Sequence, residues 1–393
     1  MGGIETVAAA IGADLAARLP RQNKKQREGL ALLVATALDV RDVNLMELAA
    51  ALPRAAERLD MRYQWISRLL GNPLIDTDAV MAPFAREVLA RASAQAHTLV
   101  LIIDQSQVNA THQMVMVSLR VGGRALPLAW RVKKTQGAIG FAEQRAALDR
   151  VAALLPAGGR PVLMGDRFYG SPALIAWGRE QDWGWRLRLK QDLLVFEAGG
   201  ETTLAECFRR GEHLLSDVEL TEQRVRTNVS MVQEAGHPEP WIIALSQTPS
   251  VHTAFDYGLR WGIEAMFSDF KSRGFGLEDS QIRLAGRLDR LILVMALALF
   301  WAVSTGHVGC RPSAHRRRKK LGWQSSLSAK LFGRGVPRAG GAGWRGGRLG
   351  HGRIESTCWS RSARHARRVT GSCGCVTRTA AGWRRSRARC GCG

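Results

Sequence analysis

Residues 98 to 190 place three β-rich runs in succession and then alternate helix with strand, an order that few architectures can accommodate. "TLVLIID" (98–104), "QMVMVSLRV" (113–121) and "ALPLAWRV" (125–132) are apolar and β-branched, and Gly122 with Gly123 supplies a hairpin turn between the last two. Three such runs in sequence predict a meander. "FAEQRAALDRVAALL" (141–155) then reads as a helix, "PVLMGD" (161–166) as a strand, "SPALIAWGREQ" (171–181) as a helix and "GWRLRLK" (184–190) as a strand. The order β-β-β-α-β-α-β places the chain in the α/β class, as a mixed sheet with helices packed on its faces.

The flanks differ in character. Residues 1–95 are rich in Ala, Leu and Arg at helical spacing, with no strand signal, and predict an all-helical N-terminal region. Within it "NLMELAAALPRAAERLDMRYQWISRLL" (44–70) has Asn44 and Glu47 at capping-box spacing, a break at Pro53, and a second helix carrying arginines and aromatics. A short helix, a turn and a basic helix suit a DNA-reading pair, with Arg62 and Arg68 as candidate contacts; a helical bundle with solvated arginines accounts for the pattern equally well. Residues 191–250 hold strand-like pieces ("DLLVFEA", "EHLLSDVEL", "PWIIALSQ") between Gly, Pro and acidic turns, a β-rich insertion. Residues 251–306 resume the α/β layer and close it with a buried helix. The longest apolar run, Leu291 to Val303, is shorter than the roughly 20 residues a membrane span needs, and the N-terminus lacks the basic start of a secretory signal. A soluble cytoplasmic protein with no membrane partner is expected.

The net charge of +22 would ordinarily indicate nucleic acid, but its location matters. Residues 307–393 hold 21 Lys or Arg against one acidic residue, Glu355, whereas residues 1–306 hold 35 against 33. The tail also has 16 Gly and no apolar period, which predicts a disordered segment. Its composition is that of a GC-rich gene read out of frame, or of an arginine-rich nucleic-acid arm. Cysteine is similarly divided: Cys207 is the only one before residue 307, which suits a reducing compartment without a disulfide framework. The two "CGC" triplets of the tail lack the spacing of zinc ligands.

Two aspartates end apolar strands in this reading, Asp104 in "LVLIIDQS" and Asp166 in "VLMGDRFYG". A buried strand delivers its terminal side chain rigidly to the sheet edge, where ligand sites of α/β proteins gather. "YGLRWGIEAMFSDFK" (257–271) adds a third carboxylate. On a continuous helix Tyr257, Arg260, Glu264 and Lys271 fall within an arc about 60° wide, beside an apolar face of Leu259, Ile263, Met266, Phe267 and Phe270. An i,i+4 ion pair on a solvated face would also explain Arg260 and Glu264. If Asp104, Asp166 and Glu264 converge, their repulsion calls for divalent cations, and hard oxygen donors suit Mg²⁺ or Mn²⁺. Two ions about 4 Å apart activate the attacking water or hydroxyl of a phosphodiester cleavage and stabilise the leaving oxygen.

With these residues in view the sequence resembles the DDE transposases of bacterial insertion sequences, in the branch marked by Tyr-x2-Arg-x3-Glu-x6-Lys. Tyr257, Arg260, Glu264 and Lys271 match that signature at every position, "LIIDQS" and "GDRFYG" look like the two aspartate segments, and the strand order is that of the ribonuclease H-like fold. The resemblance covers about residues 25–306. It implies a ribonuclease H-like core in two parts (96–190 and 251–306) separated by the insertion, and cleavage at transposon ends with transfer of the freed 3′-hydroxyl into target DNA. It further implies two Mg²⁺ or Mn²⁺ ions held by Asp104, Asp166 and Glu264, with phosphate contacts from Tyr257, Arg260 and Lys271. An aromatic of the insertion, for which Trp241 is the candidate, would stack on a flipped base. The implied partners are double-stranded DNA, as terminal inverted repeats and target, and a second copy of the chain on that DNA. A ribonuclease H-like nuclease without strand transfer, or an inactive DNA-binding remnant with a frameshifted C-terminus, stays open. Relatives generally end soon after the last helix, so residues 307–393 depart from the family pattern.

Overall fold

The computed structural model of the 393-residue chain describes residues 3–55, 58–95, 98–197, 200–234 and 236–308. β1 (Leu99–Asn109), β2 (His112–Val121) and β3 (Arg124–Lys134) form the predicted antiparallel meander, turned at Gly122, whose φ of 59° suits glycine. β4 (Pro161–Gly165) runs parallel to β1, and β5 (Gly184–Arg188) parallel to β4. β1 is longer than expected: it continues five residues past Asp104 and stays paired with β2, Asp104 lying opposite Met116. Asp104 therefore lies two residues beyond the parallel pairing, in which Leu99–Ile102 face Pro161–Met164, and does not end the strand itself.

Residues 191–250 do contain the predicted strands, but these extend the same sheet. β6 (Leu194–Glu197), β7 (Gly200–Thr203), β8 (Leu214–Leu220), β9 (Val225–Val232) and β10 (Trp241–Leu245), with the short helices α8 (Leu204–Arg209) after β7 and α9 (Val251–Phe255) after β10, give a ten-stranded order β3-β2-β1-β4-β5-β10-β9-β8-β6-β7. β10 joins antiparallel to β5, with Ile243 opposite Arg188, so backbone hydrogen bonding is continuous across the insertion boundary. Edge pairing satisfies the N–H and C=O groups that β5 would otherwise leave bare.

Alternation along β1 divides the core in two. Leu101 and Ile103, with Val115 and Val117 of β2, pack with residues of α6 (Phe141–Ala152) and α7 (Pro172–Glu180). Ile102, with Met114 and Met116, belongs to the opposite cluster, together with α10 (Gly262–Phe270) and α11 (Ala285–Val308). The N-terminal region supplies the outer layer on that side as five helices, α1 (Gly3–Arg18), α2 (Lys24–Val40), α3 (Leu45–Ala51), α4 (Leu59–Gly71) and α5 (Thr77–Gln95). Asn44 caps α3 by accepting from the Met46 N–H at 2.9 Å.

α11 is sandwiched between α2, α4 and α5 on one side and β3 on the other. That position explains its all-round apolar run, in which Leu291 to Ala298 are fully buried. Among the described residues no helix is long and apolar enough to cross a membrane. α11 runs to Val308, two residues past the expected core boundary; the basic, Gly-rich tail, with its expected disorder and "CGC" triplets, otherwise lies outside the described residues.

One polar anchor fixes α11. Asp289 accepts from the Thr77 hydroxyl of α5 at 2.9 Å and from the Trp130 indole N–H of β3 at 2.7 Å. Burial raises its pKa, with both hydrogen bonds opposing the rise. Asp289→Ala strands the Trp130 donor and is expected to cost about 1–3 kcal/mol. Urea denaturation checks this: a lowered midpoint at constant slope is expected, with Asp289→Asn, which keeps one acceptor, falling between wild type and Asp289→Ala.

Candidate active site

The parallel register sets the first two carboxylates. Ile102 lies opposite Met164, and Asp166 follows the end of β4 at Gly165, near enough to Asp104 for its charge to act on it. Asp104 shares the parity of Ile102 and so faces the α10 and α11 side of the sheet. Asp166 opens a tight turn: its Oδ1 accepts from the Phe168 N–H at 2.9 Å, and its carbonyl accepts from the Tyr169 N–H at 2.9 Å. Glycine bounds the turn at both ends because there is no room for more. A Cβ on Gly165 would sit 2.7 Å from the Tyr169 Cβ, and one on Gly170 would collide with the Arg188 carbonyl of β5.

The helix expected over 257–271 is two pieces. Asp256–Trp261 winds as a 3₁₀ segment, α10 covers Gly262–Phe270, and Lys271 is already outside, with ψ at −142°. In a 3₁₀ turn residues three apart eclipse, so Tyr257 and Arg260 stack on one inward side, the guanidinium 5.8 Å from the ring centre. Arg260 then reaches the site and bridges it. Nη1 donates to Asp104 Oδ2 at 3.0 Å and Nη2 to Glu264 Oε1 at 2.7 Å. Asp104 is held further by the Gln105 N–H, which donates to Oδ1 at 2.8 Å. Glu264 is the outermost of the three, its side chain 56% exposed against 14% for Asp104 and 10% for Arg260.

Electrostatics reflect this crowding. Burial pushes the Asp104 pKa up to about 6; Arg260 opposes the rise, while Asp166 and Glu264 add to it. Burial works against the charge of Arg260, but Tyr257, Asp104 and Glu264 outweigh it and its pKa is raised. Tyr257 is pushed up to about 12, chiefly by burial. Tyr169 was not singled out in the sequence, yet its buried hydroxyl has no hydrogen-bond partner among the described residues, and burial, Asp104 and Asp166 raise its pKa well above the usual value. Its only sequence signal is an aromatic held between Asp166 and Gly170.

Three carboxylates against one arginine leave a net negative site of hard oxygen donors, which suits a divalent cation. Among the described residues, however, no three His, Cys, Asp or Glu side chains stand close enough to share one ion as they are placed. The Arg260 guanidinium stands between two of the three, Asp104 and Glu264.

The remaining expected residues are distributed differently. Lys271 leaves the polar arc and pairs with Glu278 at 3.1 Å. Tyr257 is 2% exposed, too buried to meet a DNA phosphate, and acts instead as a floor beneath Arg260. Trp241 is also 2% exposed, enclosed by His237, Phe255, Tyr257 and Trp261, so its expected role as a base-stacking platform is corrected to a core role. The exposed aromatic beside the carboxylates is Phe168, at 44%. Arg62 lies on α4 and ties it to α3 through the Ala50 carbonyl at 3.2 Å, while Arg68 is exposed on α4.

The model of the transposase DDE domain family matches residues 141–301. The matched segment contains Asp166, Trp241, Tyr257, Arg260, Glu264 and Lys271 and begins after Asp104. The match makes residues 141–301, less than half of the chain, similar to a transposase DDE domain. A comparison with curated proteins finds no match.

The geometry of the Asp166 turn makes Gly170 a sensitive position. Gly170→Ala must push the turn away from β5, with an expected loss of about 1–3 kcal/mol, the usual cost of forced overpacking. Gly137→Ala is the control, because nothing lies within 4 Å of a Cβ there. Thermal melting of the two variants should show a lowered Tm for Gly170→Ala only.

Proposed function

We propose that this chain is an insertion-sequence transposase that cuts DNA at the element's ends and joins the freed 3′-hydroxyl to target DNA. The observation that carries the reading is the meeting, through Arg260, of Asp104 and Glu264, 160 positions apart, with Asp166 near enough for its charge to act on Asp104. The transposase DDE domain match over 141–301 supports it, as does agreement of Tyr257, Arg260, Glu264 and Lys271 with the family's Tyr-x2-Arg-x3-Glu-x6-Lys signature.

In this reading Asp104, Asp166 and Glu264 would hold divalent cations, Mg²⁺ or Mn²⁺, as DDE transposases generally do. When bound, such ions activate the attacking oxygen and stabilise the leaving one. The protein's share is orientation. The Gln105 N–H locks the Asp104 rotamer, and the Phe168 N–H locks Asp166. Lys271, just past the end of α10, exchanges Glu278 for a backbone phosphate of the DNA. Arg62 and Arg68, on the helix pair α3 and α4, contribute DNA contacts away from the reacting bond. Two copies of the chain hold the paired inverted repeats of the element.

Glu264→Gln and Asp104→Asn are each expected to abolish cleavage of a duplex bearing the element's ends, while gel-shift binding of that duplex falls less than about tenfold. Near-normal cleavage by Glu264→Gln would remove it from the catalytic set. Supercoiled target DNA added to the same reaction tests the second step. Joined product is expected, and a cut end that never joins would make the protein a nuclease only. Lys271→Ala should lower the salt dependence of binding by about one unit of slope, as for one lost phosphate contact. An unchanged slope would return Lys271 to its ion pair with Glu278.

A further inference from the structure

We propose that Arg260 is the resident counter-ion of the carboxylate site, holding Asp104 and Glu264 together until a divalent ion displaces it. The inference rests on the reading above, that Asp104, Asp166 and Glu264 take such an ion. Three observations lead to it. Arg260 spends its two terminal nitrogens on two of the three carboxylates, at 3.0 and 2.7 Å. Its side chain is 10% exposed, and its Nε has no partner among the described residues, so the guanidinium is committed to those two bonds and to Tyr257 beneath it. Among the described residues no three His, Cys, Asp or Glu side chains stand near enough to share an ion.

Electrostatics then sets a competition. A cation at this point and the guanidinium satisfy the same two negative charges, and like charges repel across so short a gap. Either Arg260 or the ion holds Asp104 and Glu264. Arg260 gains from leaving only if another anion receives it, and a DNA phosphate, which guanidinium binds through two parallel hydrogen bonds, is such an anion. Arg260 would thereby weaken ion binding in the free protein and relax that brake when DNA is present, coupling the two ligands without any movement of the sheet.

The test is Mn²⁺ binding by the full chain without DNA, read from the paramagnetic resonance of free Mn²⁺, for wild type, Arg260→Met, Arg260→Lys and Asp104→Asn. Arg260→Met is expected to bind Mn²⁺ at least about tenfold more tightly than wild type, the equivalent of about one pKa unit of lost opposing charge. Arg260→Lys, which keeps the charge but cannot span both carboxylates, should fall between. A residue with a merely structural role would loosen the site when replaced, so the sign of the change decides. The rise in Tm on adding Mn²⁺ should be larger for Arg260→Met than for wild type, and the less disruptive Arg260→Lys gives the same readout if the Met variant folds poorly. Equal or weaker binding in both Arg260 variants, with Asp104→Asn still abolishing it, would overturn the role of Arg260 and leave the three-carboxylate site standing. Absence of Mn²⁺ binding in every protein, with and without element-end DNA, would overturn both.

Discussion

β1 is covered on both faces, and the position of the candidate site depends on that double burial. Leu101 and Ile103 belong to one apolar cluster, Ile102 to the other, and a slip of one residue would exchange every side chain between them. Register is therefore strongly specified where the strand is apolar. The parity that seats Ile102 among α10 and α11 carries Asp104 to the same side. Where β4 ends, no neighbouring strand covers that side chain, and a carboxylate can sit at the rim of the core. Gly165 and Gly170 do the corresponding work for Asp166, letting a turn lie against Tyr169 and the Arg188 carbonyl.

The bridge through Arg260 is costly in electrostatic terms. A guanidinium and a carboxylate taken out of water lose hydration that their mutual attraction repays only when the geometry is good. Here Arg260 meets two carboxylates and an aromatic face, and Asp104 meets a backbone N–H as well, yet its pKa still rises to about 6. Among the described residues the Tyr169 hydroxyl and Arg260 Nε have no hydrogen-bond partner in the same neighbourhood. Polar groups left in this condition are poor contributors to stability, and such clusters belong where a ligand supplies what the fold does not.

Much of this architecture was legible in the residues. The meander, the two alternating α/β units and the buried last helix follow from period-2 and period-3.6 patterns that burial on two faces imposes. The length of β1 beyond Asp104 was not legible, since Gln105, Ser106 and Gln107 are polar and only their pairing with β2 makes them strand. The insertion's strands were visible, but not that β10 would seat itself on β5. Asp104, Asp166 and Glu264 could be nominated from strand ends and from the arc. Tyr169 could not, because an aromatic beside a glycine carries no mark of an unpaired hydroxyl. Trp241 shows the converse error: an aromatic that looks available in the sequence is enclosed by four others.

What the sequence determined by itself is the repertoire: an α/β core, a helical region before it, and a spacing of Tyr257, Arg260, Glu264 and Lys271 that resembles a known signature. Spacing of that kind assumes a helix and says which groups share a side of it. Tertiary structure decided which of them face inward. The 3₁₀ winding of Asp256–Trp261 turns Tyr257 and Arg260 into the core, whereas the end of α10 at Phe270 releases Lys271 toward Glu278. The physical reason is that local propensity fixes the path of a few residues, while the partner of a buried charge comes from wherever the sheet brings one. For Arg260 that partner is Asp104, on a strand 156 residues earlier.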